Sequence, residues 1–245
     1  MSQYSENPYQ TPAQYGMNPI AAAAATDERV AFIRNTYLHL AGAVFAFMMI
    51  ELLLFNVAGG LVDKVCGLML GTKYSWMIVL GAFIAVSYIS EKWAMSNTSK
   101  GMQYAGLSLF VVAEAIIFIP ILYIASENYE GAIMSAGVVT AVVFAGLSAI
   151  VFVTKADFSF MRYALYLGGL AAMAAIVVSF FVQANFLGPW FSWAMIVLAS
   201  GYILYHTSNI LHHYRTDQYV AASLSLFSSV ALLFWYVLQL FMSRD

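Results

Sequence analysis

"MQYAGLSLFVVAEAIIFIPILYIA", residues 102–125, decides how this chain is read. The run carries a single formal charge, Glu114, near its middle. An α-helix of about 20 apolar residues crosses the hydrocarbon core of a bilayer, so the run predicts a transmembrane helix. A glutamate about 12 residues from either end of it lies roughly 18 Å deep at about 1.5 Å per residue. Snorkelling does not bring a carboxylate out from there. It must be neutral, paired, or facing water inside a bundle. Pro120, less than two turns later, has no N–H and frees a backbone carbonyl of the same helix. A polar cavity at this level is therefore expected.

The rest of the chain repeats the pattern. Of its 245 residues 62% are hydrophobic and 9% charged, with a mean hydropathy of +0.80. Soluble domains carry about a quarter charged residues, so this chain cannot cover a water-facing surface. Further apolar runs lie at 36–57, 74–90, 131–153, 160–182, 190–211 and 219–241. The fold class is an all-α integral membrane protein, a seven-transmembrane-helix bundle whose environment is the lipid bilayer. The run at 74–90 is the shortest, and losing it would invert every later span. Small residues at helical spacing, Ala164, Gly168 and Ala172, let neighbouring backbones approach. Residues 1–28 are polar, lack an apolar h-region and read as a disordered N-terminal tail. Residues 29–245 form the membrane domain.

Charge sets orientation and excludes several classes. The net charge is −2 with no basic stripe, so no nucleic acid is expected as a partner. The lone Cys66 supports neither a disulfide framework nor a thiolate metal cluster, and packing is its expected role. With the N-terminus cytoplasmic, the inside set is Arg29, Arg34, Lys92, Lys100, Lys155, Arg162 and Arg215. The outside set is Lys64, Lys73 and Arg244. Basic residues concentrate on the cytoplasmic side of membrane proteins. The expectation is N-in and C-out.

Ionisable groups inside a bilayer are functional candidates by default. His39 and Glu51 lie close to the two ends of the first span, where an interfacial role explains them. His206 is different. It closes a long apolar run, roughly 10 Å from the helix end by the rise per residue. Ser229, in the last span, lies at about 15 Å by the same count. Glu114, His206 and Ser229 are thus expected near one level, as a pH-sensing or ion-pathway site. Thr207 and Asn209 are supporting polar groups. Histidine titrates near pH 6.5 when unperturbed, which suits a proton-linked role.

Metal binding is not expected. His206 and His213 share a helix face but stand two turns, about 10 Å, apart, too far for one ion with bonds of about 2 Å. No HExxH, CxxC or P-loop pattern occurs, and no cofactor is implied. "GLS" at 146–148 together with His206 loosely resembles rhomboid intramembrane serine proteases. Ala149 stands where that family has glycine, and the histidine lacks its usual Ala-His setting. The chain reads as a non-enzyme.

Several stretches resemble one family. "RNTYLHLAGAVFAF" (34–47) is similar to the opening of the first helix in the Bax inhibitor-1 family, especially its bacterial, YccA-like branch. "TKADFSFM" (154–161) resembles its cytoplasmic connection between the fourth and fifth helices. "HTSNILHH" (206–213) resembles the end of its sixth helix, and "AASLSLFSSVALLF" (221–234) its last. Pro120-Ile121 matches a Pro-Ile near the outer end of the third. The resemblance covers residues 30–245. It implies seven helices, one of them central, in a bacterial inner membrane. It also implies modulation of a membrane-bound AAA protease, or a pH-sensitive leak of calcium gated by protons. The family's two acids on the sixth and seventh helices correspond to His206 and Ser229 here. The latching base of its second helix has no clear counterpart, although Lys92 lies nearby. Imidazole is a poor Ca²⁺ ligand beside carboxylate oxygen, so the calcium mechanism does not carry over intact. Glu114 is the replacement acid we infer from the residues themselves. The tail at 1–28 is expected to contact a protein partner.

Overall fold

The computed structural model describes residues 18–96, 99–182 and 187–243, except for the Lys73 side chain. Among them the regular structure is helical: α1 Thr26–Val57, α2 Gly59–Leu70, α3 Lys73–Ala94, α4 Lys100–Asn128, α5 Ala132–Thr154, α6 Arg162–Phe181, α7 Pro189–His212 and α8 Tyr219–Met242. A single 3-10 turn, Ser159–Met161, leads into α6. All but α2 are long and apolar enough to cross a membrane. This is the seven-helix membrane bundle that the apolar runs imply.

Local chemistry sets the ends. Thr72 and Ser99 cap α3 and α4 by accepting the Ser75 and Met102 N–H groups at 3.1 Å each, which satisfies first-turn donors that have no helical partner. Pro189 opens α7, where its missing N–H costs nothing. α1 begins about ten residues before its apolar run, because Asp27 and Glu28 place acid in its first turn. α4 continues without a break past Pro120.

Helix α2 was not expected. It falls in the connection between the first two spans and buries Val62, Cys66 and Met69, the first two against Ile119. Their i, i+4, i+7 spacing is a helical face, too short to read as a span. Cys66 has the packing role expected of it.

The core is built around α8, which packs along α1, α4, α5 and α7. α4 and α8 are buried over most of their length, whereas α3 and α6 expose theirs. α3 packs chiefly against α4. At their closest approach stands Gly106, where a Cβ would lie 2.5 Å from the Ser90 carbonyl oxygen and 2.7 Å from the Ala94 nitrogen. The stripe read from residues 164–172 has a similar use: a Cβ on Gly168 would meet Leu198 at 2.8 Å.

The N-terminal segment departs from the sequence reading within the described residues. Residues 18–28 are not a free tail. The Ala21 N–H donates to the Tyr214 carbonyl at 2.8 Å, and the Thr216 N–H to the Pro19 carbonyl at 3.1 Å. Ile20 and Arg215 form an isolated antiparallel bridge, Ala21 is fully buried, and α1 starts at Thr26. Unsatisfied backbone groups on the 213–218 turn find partners there, which composition does not reveal. The expected tail at 1–17 lies outside the described residues.

Candidate functional site

Hydrogen bonds join the starts of α1, α6 and α8 to the ends of α5 and α7 at one end of the bundle, which we call the basic end. Seven lysines and arginines belong to its helix ends and turns: Arg29, Arg34, Lys92, Lys100, Lys155, Arg162 and Arg215. Ser208, fully buried on α7, accepts the Phe158 N–H at 2.9 Å and donates to the Ala156 carbonyl at 3.3 Å. Asp157 accepts the Ser159 N–H at 2.9 Å, and its other oxygen lies 3.3 Å from His213 Nε2. The Ser159 N–H, with His213 contributing, holds the Asp157 carboxyl below the usual carboxylate range. The motif at 154–161 is thereby explained: it stitches the α5–α6 connection to the end of α7. Lys155 makes the stitch possible by adopting a left-handed φ of 52° as the C-cap of α5.

Inside this end is a cavity of about 840 Å³ walled by α3, the start of α6, the end of α7 and the start of α8. His206 and Asn209 face it from α7. The His206 ring stacks on Tyr202, with centroids 6.0 Å apart, and meets Tyr205 edge-on at 5.2 Å. Its Nδ1 is buried without a hydrogen-bond partner. Lys92 and Arg162 reach the same cavity from α3 and α6. Sequence reading named neither as a site residue, and only their placement on separate helices around one space reveals the relation.

The other expected site residues do not join His206 there. Glu114 is 5% exposed on α4 and has no ion-pair or hydrogen-bond partner among the described residues. Ser229 turns back along α8 to donate to the Ser225 carbonyl at 2.9 Å. Thr207 is fully buried and points elsewhere. The reason lies in topology. α4 and α7 each pack along α8 but have no extensive contact with each other, so equal depth does not bring Glu114 to His206.

Thr207 belongs to a separate cluster. The Tyr37 hydroxyl of α1 is directed toward Ser148 of α5 and Thr207 of α7. All three oxygens are buried without a hydrogen bond of good geometry. Ser148 therefore serves this cluster and forms no dyad with His206. His39 is also explained locally: its Nδ1 lies 2.7 Å from the Asn35 carbonyl and its Nε2 3.0 Å from the Tyr104 hydroxyl. Glu51 is 8% exposed, with both carboxyl oxygens unpartnered. Among the described residues no three His, Cys, Asp or Glu side chains cluster as metal ligands.

The fold and this end define a polytopic α-helical membrane protein with a polar cavity at the basic end. The family model "Inhibitor of apoptosis-promoting Bax1" matches residues 29–245, and the chain belongs to that family. Bax inhibitor 1 of Schizosaccharomyces pombe is 27% identical over 243 residues, covering 98% of this chain and 87% of its own. An uncharacterized protein of Pseudomonas aeruginosa is 30% identical over 233 residues, 93% of this chain and 95% of its own. The modulator of FtsH protease YccA, of Escherichia coli, is 37% identical over 108 residues, 43% of this chain and 49% of its own.

Proposed function

We propose that this protein is a multi-pass inner-membrane modulator of a membrane-bound protease, its basic end facing the cytoplasm. The concentration of seven lysines and arginines at that end supports the orientation. The observation that carries the reading is the docked N-terminal segment. Hydrogen bonds from Ala21 and Thr216 hold residues 19–21 on the turn after α7, beside the cavity. That anchor places residues 18–21 at the basic end, and residues 1–17 before them are the contact we propose for the partner. The Escherichia coli relative named as a modulator of FtsH protease supports the partner class, which is a membrane-bound AAA protease. Affinity capture from mild detergent tests it, comparing the full chain with one lacking residues 1–17. A membrane protease retained by the first and lost from the second is expected. Recovery of no protease by the full chain would overturn the reading.

A second reading, an ion leak sensitive to protons, is favoured by Glu114 alone. A buried carboxyl without a partner near the middle of α4 is costly in a bilayer, and conduction of calcium or another ion would account for keeping it.

A further inference from the structure

The cavity at the basic end holds two cations that nothing else in the described structure uses. Lys92 and Arg162 line it from α3 and α6, and neither side chain has an ion-pair or hydrogen-bond partner among the described residues. The other five lysines and arginines of this end, Arg29, Arg34, Lys100, Lys155 and Arg215, are not part of its wall. The lining acid is Glu91, adjacent to Lys92 on the rim of α3. His213 is engaged by Asp157. Two cations against one carboxylate leave the cavity net positive. Asn209 on α7, Gln218 in the turn after it and Ser225 on α8 add neutral polar groups to the lining.

We propose that this cavity binds a phosphate-bearing anion, its phosphate held between Lys92 and Arg162. The volume of about 840 Å³ lies in the range of small-molecule sites, roughly 300–1,000 Å³, and is far larger than one phosphate ion needs. The ligand therefore has an organic part. Ala94, Met95, Ala221 and Leu224 give the wall an apolar portion for it. The α3 and α6 walls are the ends of membrane-spanning helices, so the mouth opens at the bilayer surface. These features favour the headgroup of an anionic phospholipid, with a soluble organic phosphate as the other source of the same chemistry. Arg162 offers a planar fork for two phosphate oxygens, and Lys92 a mobile point charge. This inference is independent of the protease partner.

The experiment titrates the purified full chain in neutral detergent with dioctanoyl phosphatidylglycerol and, separately, with glycerol phosphate. Saturable binding of the lipid is expected. Each of Lys92→Gln and Arg162→Gln should weaken it about tenfold, the loss of one charged hydrogen-bonding group at a half-open site. Lys155→Asn lies at the same end but outside the wall and should change nothing. Glu91→Gln should tighten binding severalfold. Lys92→Arg and Arg162→Lys keep the charge and should retain binding, which separates ligand contact from misfolding. Saturation by glycerol phosphate alone, with the same pattern among the variants, would support the phosphate site and assign it a soluble ligand. Saturation by neither probe would overturn the proposal. So would a Lys155→Asn loss as large as that of Lys92→Gln, or charge-keeping variants as weak as the glutamine ones.

Discussion

Gly106→Ala offers a test in which two known effects have opposite sign and the structure decides between them. In a helix interior, glycine is worse than alanine by about 0.8–1.0 kcal/mol, so propensity alone makes the substitution stabilising. At Gly106 the new Cβ would stand 2.5 Å from the Ser90 carbonyl oxygen. Carbon and carbonyl oxygen of adjacent helices normally approach to about 3.3–3.6 Å, so α3 and α4 must part by roughly 0.8 Å. The obstacle is backbone, which no rotamer change moves aside. Overpacking of this kind costs about 1–3 kcal/mol, and α3 has little other packing to hold it. Less the propensity gain, the net expectation is destabilisation of up to about 2 kcal/mol, or up to about 8 °C in Tm for a chain of this size. Gly146→Ala on α5 is the control. A Cβ there meets nothing within 4 Å, so it should match or exceed the wild type. The buried Cys66 supplies the assay, since a thiol-reactive dye reports its exposure as the purified protein is heated. The order expected is Gly146→Ala at or above wild type, with Gly106→Ala below it. A Gly106→Ala protein as stable as Gly146→Ala would refute the close-packed α3–α4 seam.

Three shorter predictions concern the basic end and α4. Ser208→Ala strands the Phe158 N–H and should cost about 1–3 kcal/mol, the range for orphaning a buried donor; the same thermal assay reads it, and an unchanged Tm would show the stitch to be idle. Asp157 has its carboxyl held below the ordinary range, by the Ser159 N–H first and by His213, so its ionised form is favoured in the fold. That contribution is fully present above the unfolded value of about 3.9 and fades as pH falls through the lower folded value. Asp157→Asn should therefore lower Tm at pH 7 and converge with wild type only once pH falls below the lowered folded value, whereas a constant offset at every pH would contradict it. For the leak reading, liposomes loaded with an ion-sensitive dye should show flux that changes between pH 5 and 8, and Glu114→Gln should abolish the change. Flux unaltered by the substitution would leave Glu114 as a structural residue.

Hydropathy made the seven long helices legible because each apolar run must hide its backbone polar groups inside one helix when surrounded by lipid. The same logic could not find α2 or the bridge at Ile20. Twelve residues with a three-residue apolar face do not span anything, and a single backbone pair leaves no periodic trace. The start of α1 was missed for a related reason. Its first ten residues are helical through acid at the N-terminus and packing of Phe32, not through hydrophobicity.

The candidate site was legible in part, and the limit is geometric. Depth can be counted along each helix from sequence, and by that count Glu114, His206 and Ser229 share a level. Azimuth around the bundle cannot be counted, because it depends on which helices touch. α8 takes the central position, separates α4 from α7, and spends the Ser229 hydroxyl on its own backbone. His206 therefore shares its cavity with the helices that end beside α7 and α8 at the basic end, and these bring Lys92 and Arg162 to the same wall. The same topology changes the chemistry expected of position 206. A carboxylate there, added to Glu91, would offset the second of the two unpaired cations and leave the cavity neutral. An imidazole adds a hydrogen-bonding edge without that cancellation, so the cavity keeps its positive balance. For the anion site we propose, His206 therefore preserves the positive balance on which binding depends.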